Sequence, residues 1–106
     1  MNIQNKIKIG EHFYNIKKVR ILDWKNKNVV GNINYATKLM KLKKLGPDKR
    51  IYQDTFFHEV AHGILKELEF NYPRMQKFRN DECFVQELGL NLRKTFIDLL
   101  ENQEKE

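Results

Sequence analysis

Residues 56–66 read FFHEVAHGILK, and inside them His58-Glu59-Val60-Ala61-His62 spells HExxH. On a helix, residues four apart are turned by roughly 40° and raised by one turn, so two such imidazoles can aim at one ion. Glu59 then sits one step round the helix. From there it can take a proton from an attacking water, but it is poorly placed to be a third ligand on the same face. The pattern makes two demands together: the stretch must be helical, and its helix must border a cleft. Two of the chain's three histidines fall in it, which counts against a chance spelling.

Working outward, Phe57, Val60, Ala61, Ile64 and Leu68 recur at the three-four spacing of one buried stripe. This predicts an amphipathic helix from about Lys49 to Phe70, with Asp48 as its N-cap and Asn71-Tyr72-Pro73 as its stop. A polar link runs through Arg79. A second helix is expected from about Asp81 to Glu101, capped by Asn80 or Asp81, with Val85, Leu88, Leu92, Phe96 and Leu99 on one side. Upstream the period changes to that of strands. Lys6–Ile9 and His12–Val19 flank a Gly10-Glu11 turn, which predicts a hairpin. Val29–Ile33 and Thr37–Leu42 give two further strands around Asn34-Tyr35-Ala36, and Leu45-Gly46-Pro47-Asp48 ends them. The expected fold is α+β: a small N-terminal antiparallel or mixed sheet, then the motif helix, then a C-terminal packing helix. Residues 1–106 form one domain in this expectation.

A catalytic zinc usually takes three protein ligands. No histidine follows the motif, and Leu65 and Leu68 stand where the extension HExxHxxGxxH needs Gly and His. The remaining downstream candidates are Asp81, Glu82 and Glu87. Glu82 lies about 80° from the centre of the second helix's apolar stripe and Glu87 about 140°. Glu82 therefore borders the packing face, and Glu87 points to water. Glu82 is the expected third ligand, with Glu87 the runner-up. Cys83 turns about 100° away from Glu82 and is expected to be a small core or interface residue. His12, isolated in a strand, is expected to be structural or exposed. An oxyanion-stabilising donor is sought among Tyr35, Tyr52, Tyr72 and His12, without a choice between them.

Composition bounds the rest. A chain of 106 residues, 41% hydrophobic and 32% charged, is long enough for one modest core and is not disordered in composition. No apolar run reaches the length of a membrane span. The opening MNIQNKIKIGEHFY lacks the apolar centre of a secretory signal, and the single Cys83 excludes an internal disulfide. A cytoplasmic address is the expectation. Net charge is +6, but residues 1–53 hold thirteen Lys/Arg against three Asp/Glu, and residues 54–106 hold seven against eleven. A basic first half can attract nucleic acid or another acidic partner. The plainer alternative is that the lysines only solvate strands.

The run His58-Glu59-Val60-Ala61-His62-Gly63-Ile64, followed by Asn80-Asp81-Glu82-Cys83-Phe84-Val85 and a Leu-rich helix, resembles the minimal gluzincin-type zinc metallopeptidases. In particular it resembles the short phage and prophage proteins grouped with ImmA/IrrE-like and SprT-like metallopeptidases. Only HExxH is specific in this likeness. SprT-like enzymes use a third histidine, and ImmA/IrrE proteins carry extra domains; this chain has neither. Glu87-Leu88-Gly89-Leu90-Asn91 imitates the ExxxD/N that follows the third ligand in some gluzincins. The resemblance implies a zincin-like fold with His58, His62 and Glu82 as Zn2+ ligands, Glu59 as general base, and a peptide or protein substrate. It further implies that the strand at about Thr37–Leu42 is the edge along which the peptide lies. Two other classes compete with a peptidase. One is a catalytically silent, zinc-stabilised binding module that grips a host protein or DNA; the other is a metal-free domain with a fortuitous motif.

Overall fold

The computed structural model describes residues 5–20, 30–44 and 49–104, with side chains described from residue 50 to residue 97 of the last segment. Four strands come first: β1 (Lys6–Ile9), β2 (His12–Val19), β3 (Gly31–Asn34) and β4 (Leu39–Lys43). Helix α1 (Lys49–Glu69) follows, then a 3-10 turn (Pro73–Met75), the short α2 (Gln76–Arg79) and α3 (Glu82–Glu104). The fold is α+β, as expected. Asp48, the expected cap of α1, and Val29 lie outside the described residues.

The β1–β2 hairpin closes through two residues, with Ile9 opposite His12. Gly10 at φ +61° takes the left-handed position that a two-residue turn requires, which a side chain would resist. The β3–β4 connection is held by Asn34, whose Oδ1 accepts from the Ala36 and Thr37 amides at 3.0 Å each. The sheet order is β1-β2-β4-β3, with β2 and β4 parallel and the other two pairs antiparallel. This corrects one implied feature. The strand at Thr37–Leu42 is interior, because β2 takes its far side, and β3 is the edge strand next to it.

Alternation in the strands assigns two faces. Ile9, Tyr14, Ile16, Met40 and Leu42 point to the helices and are buried, whereas Lys6, Lys8, Phe13, Asn15 and Lys17 are exposed. Helix α1 lies between this sheet and α3, so it is buried on more than one side. Phe56, Phe57, Val60 and Ala61 are all core residues, and Leu65 joins them in place of Leu68, which is 38% exposed. A single amphipathic stripe was the expectation; a helix packed on both flanks is the finding. On α3, Ile97 takes the core position expected of Phe96. Phe96 instead stacks on Phe57, ring centroids 6.3 Å apart, with about half its surface exposed. Cys83 is exposed rather than packed, since it is turned about 100° round α3 from Glu82, whose side chain meets α1.

Asp81 caps α3: its Oδ1 accepts from the Phe84 amide at 3.1 Å. Further along, Gly89 lies directly against the backbone of α1. A Cβ there would stand 3.0 Å from His58 Cα, 3.1 Å from His58 N and 3.2 Å from Phe57 C. Helix propensity alone favours Ala over Gly by about 1 kcal/mol. Backbone atoms cannot rotate aside, however, and overpacking of this kind costs about 1–3 kcal/mol. Gly89→Ala should therefore lower the unfolding free energy by up to about 2 kcal/mol in urea titration; a gain would mean that the helices separate there freely.

Candidate metal centre

The motif does take helical form, and α1 aims both imidazoles at the start of α3. His58 Nε2 lies 3.1 Å from Glu82 Oε2, and His62 Nε2 lies 3.2 Å from Glu82 Oε1. The rings sit edge to face with centroids 5.0 Å apart. Both imidazoles are largely covered, whereas the Glu82 side chain keeps 70% of its surface open. Of the downstream acids, Glu82 is the one brought to the histidines, and Glu87 points into solvent.

His58, His62 and Glu82 form a group that could hold a metal ion, their ligand atoms lying within 4.8 Å of one another. Donors around a tetrahedral zinc at about 2.0–2.1 Å stand roughly 3.4 Å apart, close to the observed nitrogen–oxygen separations. The hydrogen bonds point the same way. His58 Nδ1 faces Gln86 Oε1 at 2.8 Å, so a neutral ring donating there turns a lone pair at Nε2 toward the Glu82 oxygens. Lone pairs facing lone pairs call for a proton or a cation between them. The His62 ring is hydrogen-bonded to the Arg79 backbone. Burial lowers its pKa more than the Glu82 charge restores it, which favours the neutral imidazole that a metal needs.

Glu59 belongs to the same cleft but not to the ligand set. It is only 6% exposed, and burial, with the Glu82 charge adding to it, pushes its pKa up to about 7. Gly31 on β3 makes room for it: a Cβ at Gly31 would press on Thr55 and on the Glu59 side chain. The cleft, about 290 Å³, is lined by Gly31, Asn32, Ile33 and Tyr35 from the sheet side, opposite His58, Glu59, His62 and Glu82.

Of the four residues considered as oxyanion donors, Tyr35 alone lines this cleft. Burial pushes its hydroxyl pKa up despite a hydrogen bond with the Arg79 side chain, and Arg79 is itself fixed by Glu69. Tyr52 buries its hydroxyl without a partner elsewhere, and Tyr72 is mostly exposed. His12 binds Glu67 at 2.5 Å, a structural contact between β2 and α1. Sequence reasoning missed Gln86 and Arg79. Gln86 was within reach, because it stands four residues after Glu82 and so shares its face of α3. Arg79 sits in the segment between the long helices and carries no pattern that marks it.

No family model, curated protein or solved structure matches the chain. Among the described residues, no helix is long and apolar enough to cross a membrane.

Glu59 makes stability depend on pH in a defined direction. It holds its proton more tightly folded than unfolded, so its contribution is full below pH 4.5 and is lost as pH rises through about 7. His62 runs the other way, adding stability above its ordinary value of 6.5. Comparison with Glu59→Gln in EDTA separates the two. The stability of wild type relative to the variant should fall by roughly 3 kcal/mol across the Glu59 window. A difference that stays level with pH would mean that Glu59 is not desolvated.

Proposed function

We propose that this chain is a zinc-dependent metallopeptidase of minimal gluzincin type, hydrolysing peptide bonds with Glu59 as general base. The observation that carries this is the pairing of His58 and His62 with the two oxygens of one carboxylate, beside a buried Glu59 that is not needed as a ligand. Zinc is favoured over magnesium or calcium because two imidazoles suit a borderline-soft ion and not a hard one.

Bound there, zinc would supply Lewis acidity toward a scissile carbonyl and toward the attacking water. The rest falls to side chains. Glu59 takes the proton released as the water oxygen bonds to the carbonyl carbon, and returns it to the amide nitrogen as the carbon–nitrogen bond breaks. Tyr35, kept protonated by its raised pKa, offers its hydroxyl to the carbonyl oxygen as negative charge grows. Its hydrogen bond with Arg79 fixes the phenol's position. The outer edge of β3 runs along the cleft, so an extended substrate can add to the sheet through backbone pairing.

Zinc-loaded protein incubated with a mixed peptide library tests the proposal. Wild type should cleave, and EDTA should stop it. Glu59→Gln should lose at least about a hundredfold in rate while keeping its zinc. Gln86→Leu, which frees the far side of His58, should weaken zinc binding by about tenfold or more. Undiminished cleavage by Glu59→Gln contradicts the mechanism; zinc retention without any cleavage by wild type leaves the metal-stabilised binding module instead.

A further inference from the structure

Charge in this chain is divided by layer. Residues 5–20 and 30–44, which build the sheet, hold nine Lys/Arg and one acid, Glu11 in the hairpin turn; residues 49–104 hold eight and ten. Helix α1 packs on one face of the sheet, with α3 behind it, and there Ile9, Tyr14, Ile16, Met40 and Leu42 are buried. No described element covers the other face. Register places its side chains side by side. Lys6 is opposite Asn15 and Lys8 opposite Phe13, while Lys17 neighbours Lys41, which in turn neighbours Asn32. None of these lysines pairs with a described carboxylate.

Two features of that face ask for an anion. Lys17 and Lys41 stand directly across from each other on adjacent strands, an arrangement that repels unless something negative lies over both. Phe13 keeps 55% of its surface open on the same face, with the Lys6 and Lys8 ammonium groups 4.8 and 5.8 Å from its ring centre. An exposed ring set among cations on an open sheet face offers stacking and phosphate contacts together. A broad four-stranded face is also the wrong shape for a duplex groove, which admits a helix or a two-stranded ribbon.

We propose that the outer face of the sheet binds single-stranded nucleic acid, its phosphates held by Lys6, Lys8, Lys17 and Lys41 and one base stacked on Phe13. This site is on the opposite face of the sheet from His58, His62 and Glu82, and it stands whether or not those residues bind zinc. The lysines are contributed by three strands, so the surface depends on the sheet and would be absent from the unfolded chain. Asn15, opposite Lys6, and Asn32, opposite Lys41, supply neutral hydrogen-bonding groups for sugar or base edges.

Fluorescence anisotropy with a labelled twelve-nucleotide single strand tests the proposal on the full chain, with and without zinc. Affinity should fall with salt with a log–log slope of about −3, four phosphate contacts at roughly 0.7 each. The double variant Lys17→Glu/Lys41→Glu should weaken binding at least about tenfold and reduce that slope by about 1.4. Lys77→Glu/Lys94→Glu, with the same change in net charge on the helical layer, should leave binding within about twofold, because exposed charges more than a Debye length away are screened. Phe13→Ala should cost about five- to tenfold with the slope unchanged. Circular dichroism confirms that each variant is folded. The proposal is overturned if both double variants behave alike, if polyglutamate or an equal-length duplex binds as tightly as the single strand, or if nothing binds at low salt.

Discussion

Gly89 lies against the backbone of His58, and from that contact the layout of the site follows. With no side chain between them, α3 comes close enough to α1 for groups one and two turns earlier to reach across. Glu82 then meets both imidazoles, and Gln86 meets the far nitrogen of His58. The candidate metal site is thus a consequence of packing as much as of the motif.

The same closeness sets the electrostatics. Packing α1 between the sheet and α3 removes Glu59 from water, and Glu82 adds negative charge nearby. A carboxyl so placed destabilises the metal-free fold once ionised, and a cation beside it relieves that penalty. In the proposed mechanism, stability and chemistry therefore compete for one side chain. Proteins often store such conflicts where they act, and here it falls on the residue assigned the proton transfer.

Much of this was legible in the sequence. The hairpin of β1 and β2 was marked by alternation around a Gly-containing turn, and both long helices by their period, by the stop at Pro73 and by the cap at Asp81. Helical phase singled out Glu82 over Glu87, which is the pair of alternatives that the structure separates. What escaped was long-range. The parallel pairing of β2 with β4, which makes β3 the edge, is decided by a crossover whose local residues carry no sign of it. Burial of α1 on two flanks blurs the single stripe, so Leu65 and Leu68 exchange their expected roles. Phe96 and Ile97 are adjacent and equally apolar, and only the course of α3 over Phe57 decides which one goes inside.

X-ray absorption at the zinc edge, on protein loaded with one equivalent of metal, looks directly at the shared ligand set. It should give a first shell of nitrogen and oxygen at about 2.0–2.1 Å, with the outer-shell scattering of two imidazoles and no sulfur. Glu82→Ala should alter the oxygen part of that shell and leave both imidazoles. A sulfur ligand from Cys83, or zinc surrounded by water with no imidazole signal, would contradict the site built from His58, His62 and Glu82.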